Sequence, residues 1–173
     1  MQSVFQSTLN RTRKSLNILL VEDDFEEAEL IEDLLVENRA LQSIKCKHVE
    51  RLDKALDLLN QENFDVLLLD LSLPDSQGFD TVARVKEYGL NIPIVVLTGR
   101  NDEDLALQII QAGVQDYLVK GKVDSQLLIR SLRYAIERQQ TQAALRLSEE
   151  KYRSVVNSVK EVIFQTDGSR NWT

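Results

Sequence analysis

Four short, largely apolar runs that each stop at a polar side chain constrain this chain more than anything else in its 173 residues. Asn17–Val21 stops at Glu22, Asp23 and Asp24, Phe64–Leu69 at Asp70, Ile92–Leu97 at Thr98, and Asp116–Val119 at Lys120. Runs this short and this apolar read as strands buried on both faces. A further strand, in which Ile44, Cys46 and His48 alternate with Lys45 and Lys47, has one exposed face and belongs near a sheet edge. Amphipathic stretches separate the strands. Phe25–Arg39 places Ala28, Ile31, Leu34 and Leu35 on one helical face, Leu52–Gln61 is a second helix, and Gly78–Tyr88 gathers Phe79, Val82 and Val85. A fourth helix, Asp102–Gln111, ends at Gly113 in the C-cap role. Strand and helix in alternation predict an α/β fold: a five-stranded parallel sheet with right-handed crossovers and helices on both faces. In such sheets function sits at the carboxyl ends of the strands.

Those ends carry Glu22, Asp23, Asp70, Thr98 and Lys120. Three carboxylates in one cleft raise one another's pKa unless a cation or a buried ammonium stands among them. Hard oxygen donors favour Mg2+, which takes one or two carboxylates and keeps waters for phosphate oxygens. Lys120 supplies a second positive charge.

Composition narrows the classes. The chain is 43% hydrophobic and 28% charged with only two prolines, which suits one folded domain and an appendage. A net charge of -7 argues against nucleic acid as a partner, because that affinity rests on cationic side chains. Cys46 is the single cysteine and cannot form an internal disulfide, so the cytoplasm is the expected location. No run approaches the roughly 20 apolar residues of a membrane-spanning helix. Residues 1–14, with Arg11, Arg13 and Lys14 but no long apolar stretch after them, read as a flexible tail.

Four blocks taken together resemble the signature of response-regulator receiver domains: Leu19-Leu20-Val21-Glu22-Asp23-Asp24; Asp70-Leu71-Ser72-Leu73-Pro74 with Gly78; Val96-Leu97-Thr98-Gly99; and Asp116-Tyr117-Leu118-Val119-Lys120. They cover residues 15–138 in order, which makes the combination far more specific than any one block. The resemblance implies a flavodoxin-like fold with strand order 2-1-3-4-5. It implies that Asp70 accepts a phosphoryl group from a phosphohistidine on a histidine kinase or phosphotransfer protein, forming an acyl phosphate. Asp23 and Asp70 would ligate Mg2+ directly, Glu22 through a metal-bound water, and the backbone carbonyl of Ser72 would complete the protein ligands. The Thr98 hydroxyl and Lys120 would hold phosphoryl oxygens, with Gly99 leaving the pocket open and offering a backbone N–H. Thr98 would then move toward the phosphoryl group and Tyr117 turn into the vacated space, altering the face of the fourth helix, fifth strand and fifth helix. Ser72 and Arg100 occupy the two positions that tune acyl-phosphate lifetime in this family. One departure is Gly121, where relatives carry a proline behind a cis bond. Without proline, cis costs about 2.5–4 kcal/mol, so a trans bond is expected.

Plainer readings stand beside these. Asp24 suits the N-cap of the first helix, and Tyr117 alone suits core packing. Cys46 and His48 make too few ligands for a metal site. His48, the only histidine, lacks the surroundings of a kinase phosphoacceptor, so the chain receives phosphate and is not itself a histidine kinase. Aspartate-nucleophile phosphatases need a second aspartate two residues after the first, where this chain has Ser72. The chain is therefore expected not to be an enzyme beyond its own phosphorylation and autodephosphorylation. A degenerate receiver used only for dimerisation or protein interaction would have lost an acid, the hydroxyl or the lysine, and all are present.

No glycine or proline occurs between Asp124 and Gly168. Asp124 is a suitable N-cap, and Ile129, Leu132, Ile136, Gln139, Ala143 and Leu147 follow 3 and 4 spacings that predict a coiled-coil seam and a parallel homodimer. Residues 139–157 then form a coiled-coil linker continuing the fifth helix. Residues 158–173 resemble the truncated start of a PAS domain, with a first strand at Val162–Asp167, as in a sensor kinase or nucleotide cyclase with an amino-terminal receiver.

Overall fold

The computed structural model describes residues 15–37, 43–89, 91–99 and 103–167. Parallel strands β1 (Leu16–Val21), β2 (Ile44–Val49), β3 (Val66–Asp70), β6 (Ile94–Thr98) and β7 (Asp116–Val119) form one sheet in the order β2-β1-β3-β6-β7. A two-stranded hairpin, β4 (Ser72–Leu73) and β5 (Ser76–Gln77), follows β3. Without that hairpin the order is 2-1-3-4-5, the expected flavodoxin-like topology. Helices α1 (Phe25–Glu37), α2 (Leu52–Gln61), α3 (Phe79–Glu87), α4 (Glu103–Gln111) and α5 (Ser125–Asp167) complete the chain.

The period-two alternation of a strand splits the core into two layers. Leu19, Val21, Leu67, Leu69, Ile94 and Val96 pack with Leu52 and Ala55 of α2, Val82 and Val85 of α3 and Ile109 of α4. Ile18, Leu20, Val66, Leu68, Val95 and Leu97 pack with Ala28, Ile31 and Leu35 of α1 and with Leu128, Ile129, Leu132 and Ala135 of α5. Every residue of β3 and β6 is buried, whereas β2 alternates between exposed and partly buried, as an edge strand should.

Local chemistry sets the boundaries. Strand β6 starts at Ile94 and not at Ile92, because Pro93 has no N–H for the ladder. Strand β3 starts at Val66 and not at Phe64, since the Asp65 carboxylate turns back to accept the Asn17 N–H at 2.8 Å. Gly113, at φ +86°, ends α4 as expected, its N–H donating to the Ile110 carbonyl. Asp124 caps α5 by accepting the Leu127 N–H at 2.7 Å.

The chain divides into two compact units, Met1–Ile136 and Glu137–Thr173. Two residues of the expected seam are corrected by the first unit. Ile129 and Leu132 are 4% and 0% exposed, packed against the sheet, and cannot face a second helix. Ile136 also packs against that core. In the second unit Gln139 and Ala143 are partly exposed and Leu147 is exposed. The strand expected at Val162–Asp167 is instead the end of α5: a glycine-free, proline-free helix propagates where no strand among the described residues offers a ladder. No helix among the described residues is long and apolar enough to cross a membrane. The tail at 1–14 lies outside the described residues.

Candidate functional site

Register brings the strand ends level. Val21 pairs with Leu69, Asp70 with Leu97, and Thr98 with Val119, so Glu22, Asp70, Thr98 and Lys120 emerge within a residue or two of one another. The Lys120 N–H donates to the Thr98 carbonyl at 2.8 Å, fixing the last of these to its neighbour. Asp70 and Glu22 are buried, at 2% and 1% exposure, while Asp23 is exposed.

Carboxylate oxygens of Glu22, Asp23 and Asp70 lie within 4.8 Å of one another. Lys120 Nζ stands 2.6 Å from Glu22 Oε2, 3.0 Å from Glu27 Oε2 and 3.3 Å from Asp70 Oδ1. Burial alone would lower the lysine's pKa, but Glu22, Asp70 and Glu27 beside it hold it well above the ordinary value. Glu22 is pushed upward, by burial first and then by the Asp70 charge, with the Lys120 ammonium opposing. The buried Glu22 Oε2 meets Lys120 at ion-pair distance without the direction of a hydrogen bond.

Three carboxylates, two of them buried, present the all-oxygen donor set that a divalent cation would satisfy. Mg2+ takes hard oxygen donors of this kind, one or two of them carboxylates, and keeps water in the rest of its shell. The residues present fit Mg2+.

Backbone groups orient the acids. The Ser72 N–H donates to Asp70 Oδ2 at 3.1 Å, and the Asp24 N–H to Glu22 Oε1 at 3.2 Å. His48 Nε2 lies 2.7 Å from the Glu22 carbonyl oxygen, so the histidine braces the end of β1 and joins no metal cluster among the described residues. Asp24 is the N-cap of α1, its Oδ1 accepting the Glu26 and Glu27 N–H groups at 2.9 and 3.1 Å. At Gly99 an added Cβ would meet none of the described residues within 4 Å. Among the described residues no peptide is cis, so Lys120–Gly121 is trans. Tyr117 is partly buried against the core and also lines an open cleft of about 530 Å³ with Lys122, Arg130 and Tyr134. Arg100 lies outside the described residues.

The sequence reading missed Glu27. Its signal was its place in the first turn of the helix that leaves the acidic pair, three residues after the Asp24 cap.

A family model for the response regulator receiver domain matches residues 18–133. The chain is 37% identical over 117 residues to the uncharacterized transcriptional regulatory protein YbdJ of Bacillus subtilis (strain 168), covering 68% of this chain and 49% of YbdJ. It is 33% identical over 105 residues to the swarming motility regulation protein RssB of Serratia marcescens, covering 61% of this chain and 46% of RssB. The receiver domain of an HD domain-containing protein from Pseudomonas fluorescens Pf-5 superposes with a TM-score of 0.63 at 26% identity, covering 74% of this chain and 99% of that one. The chain spans half or less of the length of these curated relatives. The sheet order, the acids at its carboxyl edge and these matches have one reading: the chain belongs to the response regulator receiver domain family of two-component signalling.

Proposed function

We propose that Asp70 accepts a phosphoryl group from the phosphohistidine of a histidine kinase or phosphotransfer protein. The observation that carries this reading is Asp70 itself: a 2%-exposed carboxylate with an ammonium 3.3 Å away and two further acids within 4.8 Å. An Asp70 carboxylate oxygen forms the new bond to phosphorus as the phosphorus–nitrogen bond breaks, and the imidazole leaves with the electron pair. Phosphoryl transfer asks for positioning and charge neutralisation more than for covalent assistance. Lys120 neutralises phosphoryl charge, Thr98 and the Gly99 N–H offer donors, and the Ser72 N–H holds Asp70 in place. Asp23, Asp70 and the Ser72 carbonyl would hold Mg2+, with Glu22 reaching it through water, and the bound ion would supply further positive charge for the incoming group.

Thr98 and Tyr117 carry the change to the face built by α4, β7 and α5, with Ser72 and Arg100 tuning the acyl-phosphate lifetime. The output runs along α5 to a module beyond residue 157, whose opening residues resemble a PAS domain. Gln139, Ala143 and Leu147 support a homodimer through this helix, and the acidic chain works in the cytoplasm without contacting nucleic acid itself.

Incubation with Mg2+ and a small acyl-phosphate donor should add one phosphoryl group by mass spectrometry. Retention of that gain in Asp70→Asn, or no gain in the wild type under conditions that label other receivers, overturns the reading.

A further inference from the structure

Lys120 is shared in a way the acceptor chemistry does not require. An ammonium has three donors, and here three carboxylates face it: Glu22 at 2.6 Å, Glu27 at 3.0 Å and Asp70 at 3.3 Å. Asp70 is the acceptor and Glu22 belongs to the metal cluster, but Glu27 has neither task. Its side chain is also unlike theirs, 42% exposed against 1% and 3%, so it can leave the lysine for water at little cost.

We propose that Glu27 is a competitor at the mouth of the site: its carboxylate occupies Lys120 in the resting protein and opposes the approach of anionic phosphoryl donors. This rests on Asp70 being the acceptor. The incoming group brings at least two negative charges to an ammonium already flanked by three carboxylates, and Glu27 is the only one of the three free to withdraw. Its place in the first turn of α1, where a helix N-terminus favours an acid, gives it a stable alternative position. A donor must therefore displace Glu27 before Lys120 can serve the phosphoryl oxygens. A bulky protein donor can bring its own cations to offset Glu27, whereas a small dianion cannot, so the residue biases the site against metabolite-sized acyl phosphates.

The test follows the rate of labelling by acetyl phosphate with saturating Mg2+ in four proteins: wild type, Glu27→Gln, Glu27→Ala and Glu26→Gln. The last removes the same charge one residue away, where no contact with Lys120 exists among the described residues. Both Glu27 variants should label roughly 3- to 10-fold faster than wild type at low ionic strength, with Glu26→Gln within about twofold. The advantage should collapse in about 1 M salt, where the Debye length is near 3 Å, which a change of packing would not do. Glu27 variants labelling at the wild-type rate or slower, or a gain equal to that of Glu26→Gln, overturns the proposal. A wild type that fails to label at all overturns instead the acceptor reading beneath it.

Discussion

The clustered acids should make the wild-type site a burden on stability when no cation is present, and Asp70→Asn measures it. Removing the Asp70 charge forfeits its attraction to Lys120 at 3.3 Å, about 5 kcal/mol at an effective dielectric constant near 20. The same change relieves repulsion from Glu22 and Asp23, whose oxygens stand within 4.8 Å, at about 3.5 kcal/mol each. Repulsion exceeds attraction by about 2 kcal/mol, and the asparagine oxygen can still accept the Ser72 N–H. In chelator the variant should therefore melt about 4–8 °C above wild type, followed by far-UV circular dichroism. Adding Mg2+ should reverse part of the difference. At ten times its Kd, Mg2+ stabilises the protein that binds it by about 1.4 kcal/mol, and Asp70→Asn has lost one ligand. A variant less stable than wild type in chelator, or equal stabilisation of both proteins by Mg2+, refutes the argument that repulsion wins at this site.

Two further outcomes are expected. Asp75 reaches from the turn between β4 and β5 to cap α2, its oxygens accepting the Leu52 and Asp53 N–H groups at 3.0 and 2.9 Å. Asp75→Ala should cost about 1–2 kcal/mol in urea unfolding at pH 7. Burial works to raise its pKa, but these backbone donors and Arg51 hold it below the ordinary value. A depressed folded pKa means that this stability is present above about pH 4 and lost as pH falls through the folded value, so the variant and wild type should converge in acid. Leu132→Ala should cost about 2–5 kcal/mol, as a 0%-exposed core leucine does, whereas Leu147→Ala should leave unfolding unchanged and lower the dimer fraction in light scattering at tens of micromolar. A monomeric wild type under those conditions would sink the dimer.

The parts of this fold that were readable from sequence are those where one physical rule acts without competition. Strands β3 and β6 are buried on both faces, so uninterrupted apolar runs announced them, and their polar terminal residues marked the functional edge. Asp24 and Asp124 were legible as caps because a short acidic side chain before an amphipathic run has one common use. The short β4–β5 hairpin carried no periodicity, and its cap on α2 joins residues 22 and 23 positions apart, which no local pattern records. Glu27 failed for a related reason: an exposed acid in a first helical turn is already explained by the helix dipole, and only the fold brings Lys120 to it.

The seam residues show where one periodicity serves two ends. Ile129, Leu132 and Ile136 keep the same 3 and 4 spacing as Gln139, Ala143 and Leu147, but a helix packed on a sheet and a helix paired with its copy demand the same stripe. Burial separates them: the first group belongs to the receiver core beside β1, β3 and β6, while Leu147 is 54% exposed. A change at the acceptor site that moved α5 against the sheet would therefore act first on Ile129 and Leu132.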